Sequence, residues 1–183
     1  MAQFGGQSYL SYAAAPASPS AGDDDQLEVR VQFSTRAAAG LVAYAHNADA
    51  SVYAAVYVES GALKLRLSCG RHQMTLVETK RNVSDGAVHS ARLRLVRVQA
   101  RADANATYCM GSVKLNQSYS MHGEQRLATP RLAWPGRLHV GGQPSAISSP
   151  PEILFLPGLV GCLYSVEVAS IFYRFSSETL YRQ

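Results

Sequence analysis

The sequence predicts an all-β fold, a sandwich of two antiparallel sheets, on three observations. Apolar and polar residues alternate with a period of two in three separate segments. Short β-rich apolar stretches recur between Gly, Pro, Asn and Ser turn signals, and no helical repeat competes with them. Leu27, Val29, Val31 and Phe33 are separated by Glu28, Arg30, Gln32 and Ser34, as a strand with one buried face requires. Leu63, Leu65 and Leu67 then alternate with Lys64, Arg66 and Ser68. Ala91, Leu93 and Leu95 alternate likewise with Ser90, Arg92 and Arg94. Further strands are expected at 41–44, 52–58, 74–77, 138–140 and 163–168. The Ala/Pro/Ser-rich stretch 13–21 and the stretch 143–152, with Pro144, Pro150 and Pro151, read as loops. Alternation resumes after each, so residues 1–183 are expected to form one domain.

The composition is globular, 47% hydrophobic and 16% charged, and 183 residues suffice to bury roughly 70% of the surface of the unfolded chain. The longest apolar runs, 13–15 and 153–156, fall far short of the roughly 20 residues a membrane-spanning helix needs, so no membrane insertion is expected. Residues 1–20 lack the basic leading region and continuous apolar stretch of an export leader. If the protein is exported, this sequence is expected to be part of a longer chain. The net charge is +4, with some of the acid gathered at Asp23, Asp24 and Asp25, so the remainder is distinctly basic and favours an anionic partner.

Three of the four asparagines open N-glycosylation triplets: Asn82-Val83-Ser84, Asn105-Ala106-Thr107 and Asn116-Gln117-Ser118. With 26 Ser and Thr in 183 residues, chance fills three of four only on the order of 1% of the time. The secretory pathway follows, and with it surface positions for the three segments. Cys69, Cys109 and Cys162 lack the close spacing of a zinc site, and in an oxidising compartment pairing is expected, with one cysteine left over.

Several landmarks occur in order: 4–10 (FGGQSYL), 29–35 (VRVQFST), 40–44 (GLVAY), 60–63 (SGAL), 84–89 (SDGAVH), 140–142 (VGG) and 159–162 (LVGC). This series resembles the laminin G-like domain of laminins, agrin, neurexins, slits, large cadherins and cell-surface proteoglycans. The resemblance implies a jelly-roll sandwich of about a dozen strands. Asp85-Gly86 makes a tight turn before a strand starting near His89, and Gly141-Gly142 closes a strand where a side chain would obstruct. His89 is expected to be structural, packed at its strand start with no partner carboxylate nearby in sequence.

Many members of that family bind calcium at one rim. The matching positions here are Val52 and Ala133, which supply no side-chain oxygen, so no metal and no cofactor is expected; Asp49 is the nearest substitute. The family cysteine matching Cys162 bonds to another just after the last strand, and none occurs before Gln183. Cys69 and Cys109 are not standard for the family, and a bridge between them is their simplest use.

Catalysis is not expected. Glu28, Glu59, Glu78 and Glu167 are isolated among apolar, basic or hydroxyl neighbours, and no nucleophile elbow or His-Glu-x-x-His helix occurs. Nucleic-acid binding needs a recognition module and an intracellular address, which the glycosylation triplets oppose. The resemblance therefore implies a noncatalytic extracellular recognition module that binds a protein or an anionic glycan, with a structural spacer as the alternative. Strand parity turns Lys64, Arg66, Arg92 and Arg94 outward, and they are expected to share one face that binds a sulfated glycosaminoglycan. Arg71, Lys80, Arg81, Arg97 and Arg101 would widen it.

Overall fold

A computed structural model of the chain describes residues 1–13, 26–70, 74–99, 106–127, 135–145, 149–168, 171–173 and 181–182. The strands in chain order are β1 (Ala2–Gly5), β2 (Ser8–Ala13), β3 (Gln26–Thr35), β4 (Ala39–His46), β5 (Val52–Glu59), β6 (Ala62–Cys69) and β7 (Met74–Asn82). They continue with β8 (His89–Gln99), β9 (Thr107–Leu115), β10 (Tyr119–Arg126), β11 (Arg137–Val140), β12 (Val160–Val168), β13 (Ile171–Tyr173) and β14 (Tyr181–Arg182). One helical turn, α1 (Pro151–Leu154), precedes β12.

The strands form two seven-stranded antiparallel sheets. The first has the order β1-β12-β3-β8-β9-β10, with β13 also on β12; the second has the order β14-β2-β11-β4-β5-β6-β7. The expected sandwich is thus the observed one. Its core follows from the period-two alternation: Leu27, Val29, Val31 and Phe33 from β3 and Ala91, Leu93 and Leu95 from β8 meet Leu63, Leu65 and Leu67 from β6, all fully or nearly fully buried. Gly111 lets the sheets close, since a Cβ there would lie 2.8 Å from the Leu67 side chain. Gly141, at φ +83°, makes the turn after β11, where a Cβ would lie 2.4 Å from the Phe4 ring.

Two stitches tie the sheets together. A disulfide joins Cys69 at the end of β6 to Cys109 in β9, with the Cα atoms 6.2 Å apart. Beside it, buried Gln125 of β10 accepts from the Cys69 backbone N–H at 3.0 Å and donates to the Leu67 carbonyl at 3.1 Å. Its amide therefore crosses from one sheet to the other with both ends satisfied.

The structure departs from the one-buried-face expectation at β4 and β5, which are buried along nearly their whole lengths. The stretch read as a loop, 143–152, runs into α1, which is entered through Pro151 at its first position, where a missing N–H costs nothing, and the chain continues through Leu156. It straps the outer side of the second sheet. Ile153 and Leu156 pack on Leu41, Tyr44, Tyr53, Ala55 and Tyr57, a second small core. Gln143 holds the strap by donating to the Ile153 carbonyl at 2.8 Å.

Candidate functional site: the outer faces of the two sheets

The four expected ligand cations do not share a face. Lys64 and Arg66 lie on β6 of the second sheet, and Arg92 and Arg94 on β8 of the first. Both leucine series point into the core from opposite sides, so the intervening cations point away from each other. The single four-residue patch is therefore corrected to two pairs. Each pair is in contact with neighbours of its own sheet. Lys64 Nζ lies 2.7 Å from Glu59 Oε2. Arg66 Nε donates to the Tyr57 hydroxyl at 2.7 Å, and its guanidinium sits 5.5 Å from the centroid of that ring.

On the first sheet, register brings in two cations that sequence reasoning left out. Arg30 lies opposite Arg92, and Arg92 opposite Lys114, so β3, β8 and β9 carry a lateral row of three cations. Arg94 occupies the next row, opposite Glu28 on one side and Ser112 on the other. Directly opposed like charges repel, and Glu28 relieves this. Its Oε2 accepts from Arg92 at 2.5 Å, and its Oε1 lies 2.9 Å from Arg30. Burial alone would raise the Glu28 carboxyl, but Arg92 and Arg30 hold it below the usual carboxylate range. Arg30 also reaches Glu167 at 3.5 Å, so Glu28 and Glu167, isolated in sequence, meet through one guanidinium. Arg94 bonds only the neutral Gln26, at 2.8 and 3.2 Å, and exposed Lys114 makes no ion pair among the described residues. Among the described residues neither of these two is in ion-pair contact with a carboxylate. The signal for Arg30 and Lys114 was strand parity, but parity alone does not tell which strands are neighbours.

Of the flanking cations, Lys80 and Arg81 lie exposed near the end of β7, and Arg97 shares the inward parity of Leu95 at the end of β8. Arg71 and Arg101 lie outside the described residues. Asn82 ends β7, Asn116 lies in the turn between β9 and β10, and Asn105 lies outside the described residues. Half-buried Cys162 is a free thiol in β12.

At the position matched to the calcium rim of the resembling family, Val52 is buried and opens β5, and its N–H donates to Asn47 Oδ1 at 3.0 Å. Exposed Asp49 accepts from the Ser51 hydroxyl at 2.7 Å and the Ser51 N–H at 3.1 Å, and these bonds hold its carboxyl below the usual value. Its nearest oxygen is spent on its own turn. Ala133 lies outside the described residues, among which no three His, Cys, Asp or Glu side chains converge as metal ligands.

His89 is buried at the start of β8 as expected, but it has a carboxylate partner that the sequence reading missed. Its Nε2 donates to Asp85 Oδ1 at 2.8 Å, while its Nδ1 accepts from Asn116 Nδ2 at 3.0 Å. A second histidine site was not anticipated at all. His139 of β11 and His46 of β4 meet with their Nε2 atoms 3.1 Å apart. The Asn47 carbonyl, 2.7 Å from His46 Nδ1, can only accept. His46 therefore carries its proton on Nδ1, and His139 Nε2 must be the donor between the rings. Burial lowers both imidazoles, and that of His139, facing His46 and Arg137 as well, falls to about 4.

A family model for the Laminin G domain matches residues 33–171. Protein eyes shut of Drosophila melanogaster is 29% identical over 157 residues, an alignment that covers 78% of this chain and 7% of that protein. Among solved structures, domains LG4-5 of the mouse laminin alpha1 chain superpose at a TM-score of 0.71 with 18% identity, over 98% of this chain and 45% of that one. The LG1-3 region of the laminin alpha2 chain gives a TM-score of 0.67 with 19% identity, over 99% of this chain and 34% of that one. A heptameric SAP-like pentraxin from Limulus polyphemus shares the sandwich at a TM-score of 0.53 with 17% identity, over 91% of this chain and 70% of that one. With the family model spanning most of the sandwich from β3 into β13, the chain belongs to the Laminin G domain family.

Proposed function

We propose that this domain is a noncatalytic extracellular recognition module, and that it binds a sulfated glycosaminoglycan on the outer face of its first sheet. The observation that carries the reading is the in-register row Arg30–Arg92–Lys114 with Arg94 beside it. Neighbouring strands lie about 4.8 Å apart, so the row offers cations at a spacing an extended sulfated polymer can follow. Arginine suits sulfate because its planar fork donates two parallel hydrogen bonds. Family membership and the three glycosylation triplets support the extracellular address. The carboxylates described at this face are held by guanidinium groups, which suits ion pairing and not general-acid chemistry.

Immobilised heparin tests this. The double variant Arg94→Ala, Lys114→Ala removes two cations without breaking a described ion pair, and it should elute at clearly lower salt than the unaltered domain. Lys64→Ala, Arg66→Ala on the opposite sheet should elute with the unaltered domain. Equal elution of all three proteins rejects this face. No retention at low salt leaves a protein ligand, or a spacer role in a longer ectodomain.

A further inference from the structure

The three glycosylation triplets are alike in sequence, but the fold treats two of their asparagines in opposite ways. At the end of β7, Asn82 is exposed, and its Oδ1 closes a turn by accepting from the Ser84 N–H at 2.8 Å. That oxygen also lies against Gly61, where a Cβ would come within 2.8 Å of it. The carboxamide oxygen is thus turned toward the protein, and Nδ2 has no partner among the described residues. Ser84 is anchored separately through its hydroxyl, which donates to the Ala37 carbonyl at 2.7 Å, and buried Val83 pins the triplet between them. A substituent on Nδ2 of Asn82 would cost none of these contacts.

Asn116 uses both ends of its carboxamide. It sits at φ 49° in the β9–β10 turn, where Asn is among the few residues that tolerate the left-handed region. Its Oδ1 accepts from the Ser90 N–H at 2.8 Å, and its Nδ2 donates to buried His89, which in turn donates to Asp85. One side chain therefore ties the β9–β10 turn to the start of β8 and to the turn before it. A sugar on Nδ2 would have to fit beside a buried imidazole 3.0 Å away.

We propose that Asn82 carries an N-linked glycan in the mature domain, and that Asn116 stays unmodified as a structural carboxamide. The donor is a polyprenyl-diphosphate-linked oligosaccharide. Asn82 Nδ2 forms a C–N bond to the anomeric carbon, the C–O bond to diphosphate breaks, Nδ2 loses one hydrogen as a proton, and no oxidation state changes. The glycan then stands at the edge strand of the second sheet, near Lys80 and Arg81. It leaves the opposite, basic face of the first sheet open.

The inference rests on the extracellular address proposed above. Expression behind an export leader in animal cells separates the test of the asparagines from that address. Protein from cells and medium is digested, released from glycan enzymatically in heavy-oxygen water, and mapped by mass spectrometry at each asparagine. The expected result is label at Asn82 and none at Asn116, with Asn105 read separately. Asn82→Gln should remove one glycan with little change in melting temperature. Ser118→Ala destroys the Asn116 triplet but keeps the carboxamide, losing only an exposed hydroxyl bond to the Asn116 carbonyl, so it should leave the glycan load unchanged and lower the melting temperature far less than Asn116→Ala does. An unlabelled Asn82, a labelled Asn116, or loss of a glycan in Ser118→Ala overturns the assignment.

Discussion

Acid should destabilise this domain well before its carboxylates titrate, and the His46–His139 pair sets the size of the effect. His139 has an ordinary value of 6.5, lowered in the fold to about 4 by burial and then by His46 and Arg137. The unfolded chain therefore takes up a proton below pH 6.5 that the folded chain refuses until about pH 4. Stability attributable to this group is fully present above 6.5, is lost progressively as the pH falls, and stops falling below about 4. Between pH 7.5 and pH 5 the difference in proton binding amounts to about 2 kcal/mol, and over the whole window to about 3 kcal/mol. His46, lowered mainly by burial, acts in the same direction. The lowered Glu28, Asp49 and Asp85 contribute in the same sense only near and below their ordinary values of 4.5, 3.8 and 3.8, so the interval from pH 6.5 to 5 belongs to the histidines. Urea unfolding followed by tryptophan fluorescence at half-unit pH steps measures this directly. In His139→Gln the slope across that interval should shrink, the remainder being that of His46, whatever the variant does to stability at neutral pH. A flat profile in the unaltered protein, or an equal slope in the variant, would refute the reasoning.

The remaining expectations are briefer. Replacing both Cys69 and Cys109 by Ala opens a loop spanning 40 positions and should cost about 4 kcal/mol by the chain-entropy estimate, read as a lower urea midpoint that reductant no longer changes. Leu65→Ala, at a fully buried β6 position, should cost about 2–5 kcal/mol in the same assay. Calcium at millimolar concentration, or its removal with a chelator, should leave the melting temperature unchanged, and a shift would point to Asp49. Glu28→Gln leaves Arg30 facing Arg92 without a carboxylate between them, and should destabilise the domain more at low salt than at 0.5 M.

What the sequence disclosed and what it concealed divide along a physical line. A period of two reports which side chains share one strand face, and at Leu63, Leu65 and Leu67, as at Ala91, Leu93 and Leu95, the inward parity is the observed one. The same period says nothing about which sheet a strand joins. The two segments look alike on paper, yet β6 and β8 lie back to back, which divided the expected ligand patch. Arg30 and Lys114 join Arg92 only because β3 and β9 flank β8, a fact of topology. The His46–His139 contact spans 93 positions and depends on β11 lying beside β4. The double burial of β4 and β5 had a local trace in the aromatic outward positions Tyr44, Tyr53 and Tyr57, but the strap that covers them comes from a proline-rich stretch with no strand signal.

The Gln125 stitch gives the Cys69 amide hydrogen an unusual role. Most strand amides are released when a neighbouring strand in the same sheet peels away, so their exchange with solvent deuterium reports on ladder opening. The Cys69 hydrogen is instead held by a side chain from the opposite sheet. Its exchange rate is thus a clock for the two layers parting. Compared before and after reduction of the disulfide beside it, that rate separates what the covalent bond does for the layers from what the packed leucines do unaided.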